Sequence, residues 1–180
     1  VHKFELELIA HINSVSTAPN RPPARITSTA KMTSVFDSID STVFRSYCFW
    51  CAVLVIKMLV MSVLTGLKRH AKKAFANPED AKVNKVKVVN NDPDVERVRR
   101  AHLNDLENIP LFFAIGFLYI LTGPSATLAI NLFRIVGISR IVHTLVYAVV
   151  VIPQPARGLA WMGAYFPTWY MAVKVLLAFI

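Results

Sequence analysis

Long apolar runs alternate with short polar breaks along this chain, and the lengths of the runs decide what they can be. From Thr42 to Leu67 the text TVFRSYCFWCAVLVIKMLVMSVLTGL is mainly apolar. Its roughly twenty-five residues, at ~1.5 Å of helical rise each, suffice to cross a ~30 Å hydrocarbon layer. The next stretch, KRHAKKAFANPEDAKVNKVKVVNNDPD over 68–94, has no apolar periodicity and carries Asn-Pro and Asp-Pro breakers, so a polar loop is expected. A second span is predicted with Asp94 as N-cap and Glu96 in the first turn, where acidic groups favour the helix dipole, and it continues to Leu121. TGPS breaks it, a third span runs over about 126–151, PQPAR makes the next turn, and a fourth runs over about 158–180. The pattern predicts an all-α, integral membrane four-helix bundle over residues 41–180. The preceding text, including NSVSTAPNRPPARITSTA, is rich in Pro, Ser and Thr and lacks the continuous apolar core of a secretory signal. A disordered tail is expected over 1–40, with Met32 as a candidate start.

Composition agrees with a membrane class: 54% of the 180 residues are hydrophobic and only 17% charged, too apolar for one soluble domain to cover with polar surface. The net charge of +9 would point to nucleic acid in a soluble protein, but seven Lys and Arg bunch in the single segment 68–94. They read as an orientation signal, and nucleic acid is set aside as a partner. The same rule puts 68–94 and Arg157 on the cytoplasmic face and both chain ends on the opposite side. Cys48 and Cys51 have C-x-x-C spacing but no second ligand pair, so they read as small apolar residues one helical turn apart. His102 and His143 lack the partners a zinc site needs, and no metal is expected. No phosphate-binding glycine motif or G-x-S-x-G string occurs.

The candidate chemistry lies where charge runs into the second span. ERVRRAHLNDLEN, residues 96–108, holds three arginines, a histidine and three carboxylates. An ionisable group at membrane depth costs at least ~2.5–3.5 kcal/mol, so such groups pair, face the bundle interior or line a wet cavity. On a helix, Arg100, Asn104 and Glu107 fall within about 60° of one another, while Arg99 and His102 point to another side. A helix with two polar faces suits a position between two neighbours. On the third span Arg140, His143, Thr144 and Tyr147 share one face, and two such stripes imply one shared site. Two readings stay open: a small zwitterionic ligand held by arginines, carboxylate, amide and phenol, or internal pairing of Arg100 and Glu107 with each other or with the Arg140 group. Lys57, inside the first span, reads as bundle-facing packing, and Lys174 as a snorkelling residue.

VERVRRAHLNDLEN, with AFANPEDA before it and ISRIVHTLVY and PQPARGLA after it, resembles the membrane-associated proteins in eicosanoid and glutathione metabolism, over about Ser41 to Ile180. Within that family it looks most like the microsomal glutathione transferase branch. The resemblance implies a homotrimer of four-helix subunits in the endoplasmic reticulum membrane, with the mitochondrial outer membrane as a second location. It also implies glutathione as cofactor or co-substrate, held between adjacent subunits by Arg69, Arg99, Arg100, His102, Asn104, Glu107 and Tyr147. Arg157 matches the arginine that stabilises the thiolate, so Arg157 and Tyr147 are the expected catalytic pair. A thiol of pKa ~8.5 is only a few per cent ionised at neutral pH, and lowering it by ~2 units takes about 2.7 kcal/mol. The implied reaction is thiolate attack on a lipophilic electrophile, or reduction of a lipid hydroperoxide, at the bilayer.

Some positions depart from the family pattern. Tyr147 and Arg157 are ten residues apart, one more than the resemblance predicts, so a bulged helix end would move Arg157. Ala81 stands where some transferases of the branch have a redox-sensing cysteine. AFANPEDA is shared with the prostaglandin E synthase branch, but Leu103 and Gly158 stand where that branch has arginine and serine. An endoperoxide isomerase is the alternative enzyme, and a non-catalytic lipid-presenting scaffold the alternative outside enzymes.

Overall fold

The structure, a computed structural model, describes residues 39–180. The tail expected over 1–40, with Met32, lies outside the described residues but for its last two positions. The elements are α1 (Ser41–Lys72), α2 (Pro78–Val83), α3 (Pro93–Leu121), α4 (Ala126–Thr144), a π-helical turn (Leu145–Val149) continuing α4, and α5 (Ala156–Ala178). The all-helical class and the four long helices are as the pattern predicts. α1, α3 and α4 with its π turn are long and apolar enough to cross a membrane. α5 has the length, 23 residues, but a lower mean hydropathy than those three. Trp161, Tyr165, Pro167, Trp169, Tyr170 and Lys174 dilute its aliphatic content.

Two boundaries differ from the expectation. α3 begins at Pro93, not after Asp94: Asp92 is the N-cap, its Oδ1 accepting from the backbone N–H of Asp94 and Val95, both at 3.0 Å. Proline fits the first helical position, where its missing N–H costs nothing, so the cap is the residue before it. α1 runs past Leu67 to Lys72 because Arg69, His70 and Lys72 in its last turn complement the negative end of the helix dipole. The expected loop thus begins as helix, and Asn77 and Pro78 start the short α2 inside it. At the other end of α1, the Asp40 carboxylate accepts from Thr42 N–H at 2.7 Å and Val43 N–H at 3.2 Å. Those bonds hold its carboxyl below the usual carboxylate range.

α1 packs on α3 and α4, and α5 on α4 and α3. The main core gathers Leu54 of α1, Ile109, Phe112 and Tyr119 of α3, Phe133 and Val136 of α4, and Met171 of α5. A smaller cluster, Met61, Val98, Ala101 and Ala148, packs beneath Tyr147. Outside these clusters α1 leaves Phe49, Ile56, Val60, Val63 and Leu67 exposed at helical spacing, an apolar stripe that suits hydrocarbon and not water. One close approach fixes α1 against α4: a Cβ on Gly137 would fall among the atoms of the Trp50 ring. Gly137→Ala is therefore expected to cost about 1–3 kcal/mol by overpacking. A lowered thermal unfolding midpoint in detergent would register it, and an unchanged midpoint would contradict this contact.

Candidate functional site

The site grows from the polar ends of α3, α4 and α5. The first turns of α3 carry Arg99, Arg100, His102 and Asn104 because the Asp92 cap starts the helix more than four turns before the main apolar core begins at Ile109. On the facing helix Tyr147 sits within the π turn, closed by Val150 N–H donating to Leu145 C=O at 2.7 Å. Arg157 lies in the first turn of α5, where the Gln154 side chain accepts from Gly158 N–H at 3.1 Å and steadies the chain entering the helix. These elements enclose a pocket of about 370 Å³ lined by Arg100, Leu103, Asn104, Glu107, His143, Tyr147, Gln154, Arg157, Gly158 and Trp161.

Arg157 covers Tyr147, with its guanidinium carbon 4.4 Å from the ring centroid, a cation–π contact. His143 meets the same ring edge-on at 5.5 Å. The helix end is bulged, as the long spacing between Tyr147 and Arg157 implies, but the bulge leaves the two in contact.

The second polar face of α3 lines a separate pocket of about 460 Å³, with Glu96, Arg99, Arg100, His102 and Leu103 from α3 and Ser62 and Thr65 from α1. Arg100 and Leu103 belong to both pockets. The structure thus brings Arg100, Asn104, Glu107, Tyr147 and Arg157 together and places Arg99 and His102 around the corner of the same helix. Arg99 is engaged with Glu96 at 2.6 Å. Arg69 lines neither pocket; its Nη1 donates to Ala74 C=O at 3.3 Å, closing the end of α1.

Internal pairing takes a form that the sequence reading did not assign. Asp105 is fully buried and bridges Lys57 of α1, through Oδ2, to Arg140 of α4, through Oδ1. Arg140 also donates to Asn104 Oδ1 at 2.9 Å. Arg140 therefore pairs with Asp105 and not with Arg100 or Glu107, and those two have no ion-pair partner among the described residues. The shared polar stripe on α4 divides: Arg140 anchors the bundle, while His143 and Tyr147 reach the pocket. Gln154 and Trp161 are pocket residues absent from the sequence reading, although Trp161 is one helical turn from Arg157 and helical projection alone would have placed it there.

A bundle of membrane-length helices with Arg100 and Arg157 lining a pocket at its polar end defines a class, a membrane-embedded protein. The chain belongs to the MAPEG family, whose model matches residues 47–177. It is 44% identical over 143 residues to microsomal glutathione S-transferase 1 of Mus musculus, covering 77% of this chain and 92% of that protein. It is 41% identical over 150 residues to microsomal glutathione S-transferase 1 of Homo sapiens, covering 81% and 96%. To prostaglandin E synthase of Bos taurus it is 41% identical over 143 residues, covering 79% and 93%.

Proposed function

We propose that this protein is a membrane-bound glutathione transferase and peroxidase of the endoplasmic reticulum, acting on lipophilic electrophiles and lipid hydroperoxides. The observation that carries the reading is the convergence of Arg100, Asn104, Glu107, Tyr147 and Arg157 on one pocket with Arg100 and Glu107 unspent in ion pairs. This donor set fits glutathione: guanidinium groups for its carboxylates, a carboxylate for its ammonium, an amide for its peptide groups. Bound there, glutathione supplies a thiolate that bonds to carbon as a leaving group departs, or two glutathiones reduce a hydroperoxide to alcohol and water and become the disulfide.

The chain's own residues bind, orient and ionise. Arg100 and Glu107 fix the two ends of the tripeptide. Arg157, held over Tyr147, presents positive charge where the sulfur loses its proton, and Tyr147 supplies a phenol donor beside it. In a homotrimer the second face of α3, with Arg99 and His102, and the Arg69 end of α1 would belong to the pocket of a neighbouring copy. The similarity to prostaglandin E synthase favours one second reading, endoperoxide isomerisation with glutathione as cofactor.

Calorimetric titration of glutathione in detergent, followed by assays with chloro-dinitrobenzene and with the prostaglandin endoperoxide, tests both. Conjugate formation is expected; isomerisation without conjugate would install the second reading, and no glutathione binding would remove both. Glu107 is exposed and has no ion-pair partner among the described residues, so Glu107→Gln is expected to weaken glutathione about tenfold, the scale of one charged hydrogen bond, without moving the thermal midpoint. A variant with undiminished affinity would take Glu107 out of the site.

A further inference from the structure

The connection between α1 and α3 is folded, and its fold puts aliphatic residues outside among cations. Phe75 and Ala81 are buried, Phe75 pairs with Val88 in an isolated bridge, and its C=O accepts from Val89 N–H at 2.8 Å. The segment is anchored at both ends. Around this anchor KVNKVKV, residues 82–88, leaves Lys82, Lys85 and Lys87 exposed together with Val83, at 80%, and Val88. Cation and aliphatic alternate along one short segment.

The backbone makes the lysines more than incidental. Among the described residues the non-glycine residues with left-handed φ are Lys73, at 50°, and Lys85, at 54°. Each closes a helix, α1 or α2, with the next N–H reaching back: Ala74 to Arg69 C=O at 3.0 Å, and Val86 to Ala81 C=O at 2.9 Å. Glycine is the ordinary occupant of that position, because a Cβ is strained there. Lysine takes it twice. Nearby carboxylates do not neutralise these charges: Lys72 pairs with Asp94 and Asp92 caps α3, while Lys73, Lys82, Lys85 and Lys87 have no ion-pair partner among the described residues. Orienting a chain in the bilayer needs cations alone. It calls for neither a folded turn nor strained lysines with valines exposed between them.

The bilayer is the nearest surface that fits both features. The exposed apolar stripe of α1 stops at Leu67 and the helix ends at Lys72, about 7.5 Å of rise further, roughly the depth of a headgroup layer. The bridge to Phe75 returns Lys87 to that level, and α2, about 9 Å long, carries Lys82 and Lys85 no further than about one Debye length. We propose that residues 82–88, with Lys73, form a docking surface for anionic phospholipid, the lysines meeting its phosphate and carboxylate groups and Val83 and Val88 meeting the acyl boundary. None of these residues lines the pocket of Arg100 and Arg157, so the surface is separate from the proposed glutathione site.

Hydrogen exchange of the full-length protein in nanodiscs of phosphatidylcholine, with and without about 30% phosphatidylserine, tests the surface directly. With phosphatidylserine at low salt, amides over 81–89 are expected to exchange about tenfold or more slowly, and high salt should abolish the difference. The 150–155 turn, which has no lysine, should exchange equally in both discs. Combining Lys82→Gln, Lys85→Gln and Lys87→Gln should remove the slowing while exchange in phosphatidylcholine stays that of the parent. Equal exchange over 81–89 in the two discs would overturn the inference, as would slowing that survives in the triple variant or extends to the 150–155 turn. Slowing by a soluble polyglutamate peptide, with none from phosphatidylserine, would also overturn it and make the lysines a site for an acidic protein.

Discussion

Asp105→Ala is expected to be the most destabilising single change in the bundle. The Asp105 carboxylate is the one group that reconciles Lys57 with Arg140, using one oxygen for each, and its removal leaves two buried cations facing each other. Breaking a buried pair by deleting one partner costs about 3–5 kcal/mol, against a total stability of about 5–15 kcal/mol for an ordinary domain. The expected result in detergent is loss of the cooperative thermal transition, or a midpoint lowered far more than by Gly137→Ala. Adding Lys57→Met to Asp105→Asn should recover part of the loss, because only one cation then remains and it keeps an amide acceptor; the two changes would be strongly non-additive. A single variant that melts within a couple of degrees of the parent would contradict the bridging role.

Arg157→Ala should act on rate. A guanidinium placed where negative charge develops contributes to the ionised state of the thiol more than to the bound tripeptide, so turnover is expected to fall about a hundredfold, as for loss of one preorganised donor, while glutathione affinity stays within several-fold. The pH–rate profile provides the sharper measure. With Arg157 present the thiol ionises below its free value; without it the ionisation limb should move upward toward the ~8.5 of an unperturbed thiol. Activity would then recover partly at high pH. Equal losses in affinity and turnover with no displacement of the profile would make Arg157 a binding residue.

Local features were largely legible in the text, and features that depend on two distant segments were not. The number of long helices follows from run length, and the two faces of α3 follow from 100° geometry, which places Arg100, Asn104 and Glu107 on one pocket and Arg99 and His102 on the other. The start of α3 is ambiguous in the text because Asp92 and Asp94 flank Pro93 and either can cap a helix; the preference of proline for the first turn decides for Asp92. Asp105 stands in the charged motif, yet nothing local distinguishes it from Glu107. Its burial is set by Lys57, forty-eight residues earlier, and Arg140, thirty-five later. A cavity of about 390 Å³ beside Arg140, between α3, α4 and α5, is a product of three-helix packing and has no signature in any single segment.

The Lys57 partnership also bears on how the polypeptide gets into the bilayer. α1 leaves the ribosome first, and its ammonium must wait for a counter-charge until α3 has followed, so for that interval the nascent chain bears a desolvation cost of at least ~2.5–3.5 kcal/mol. The aliphatic residues around that lysine offset it, which is why the most uniformly greasy helix can be the one to carry a lone cation early in biogenesis.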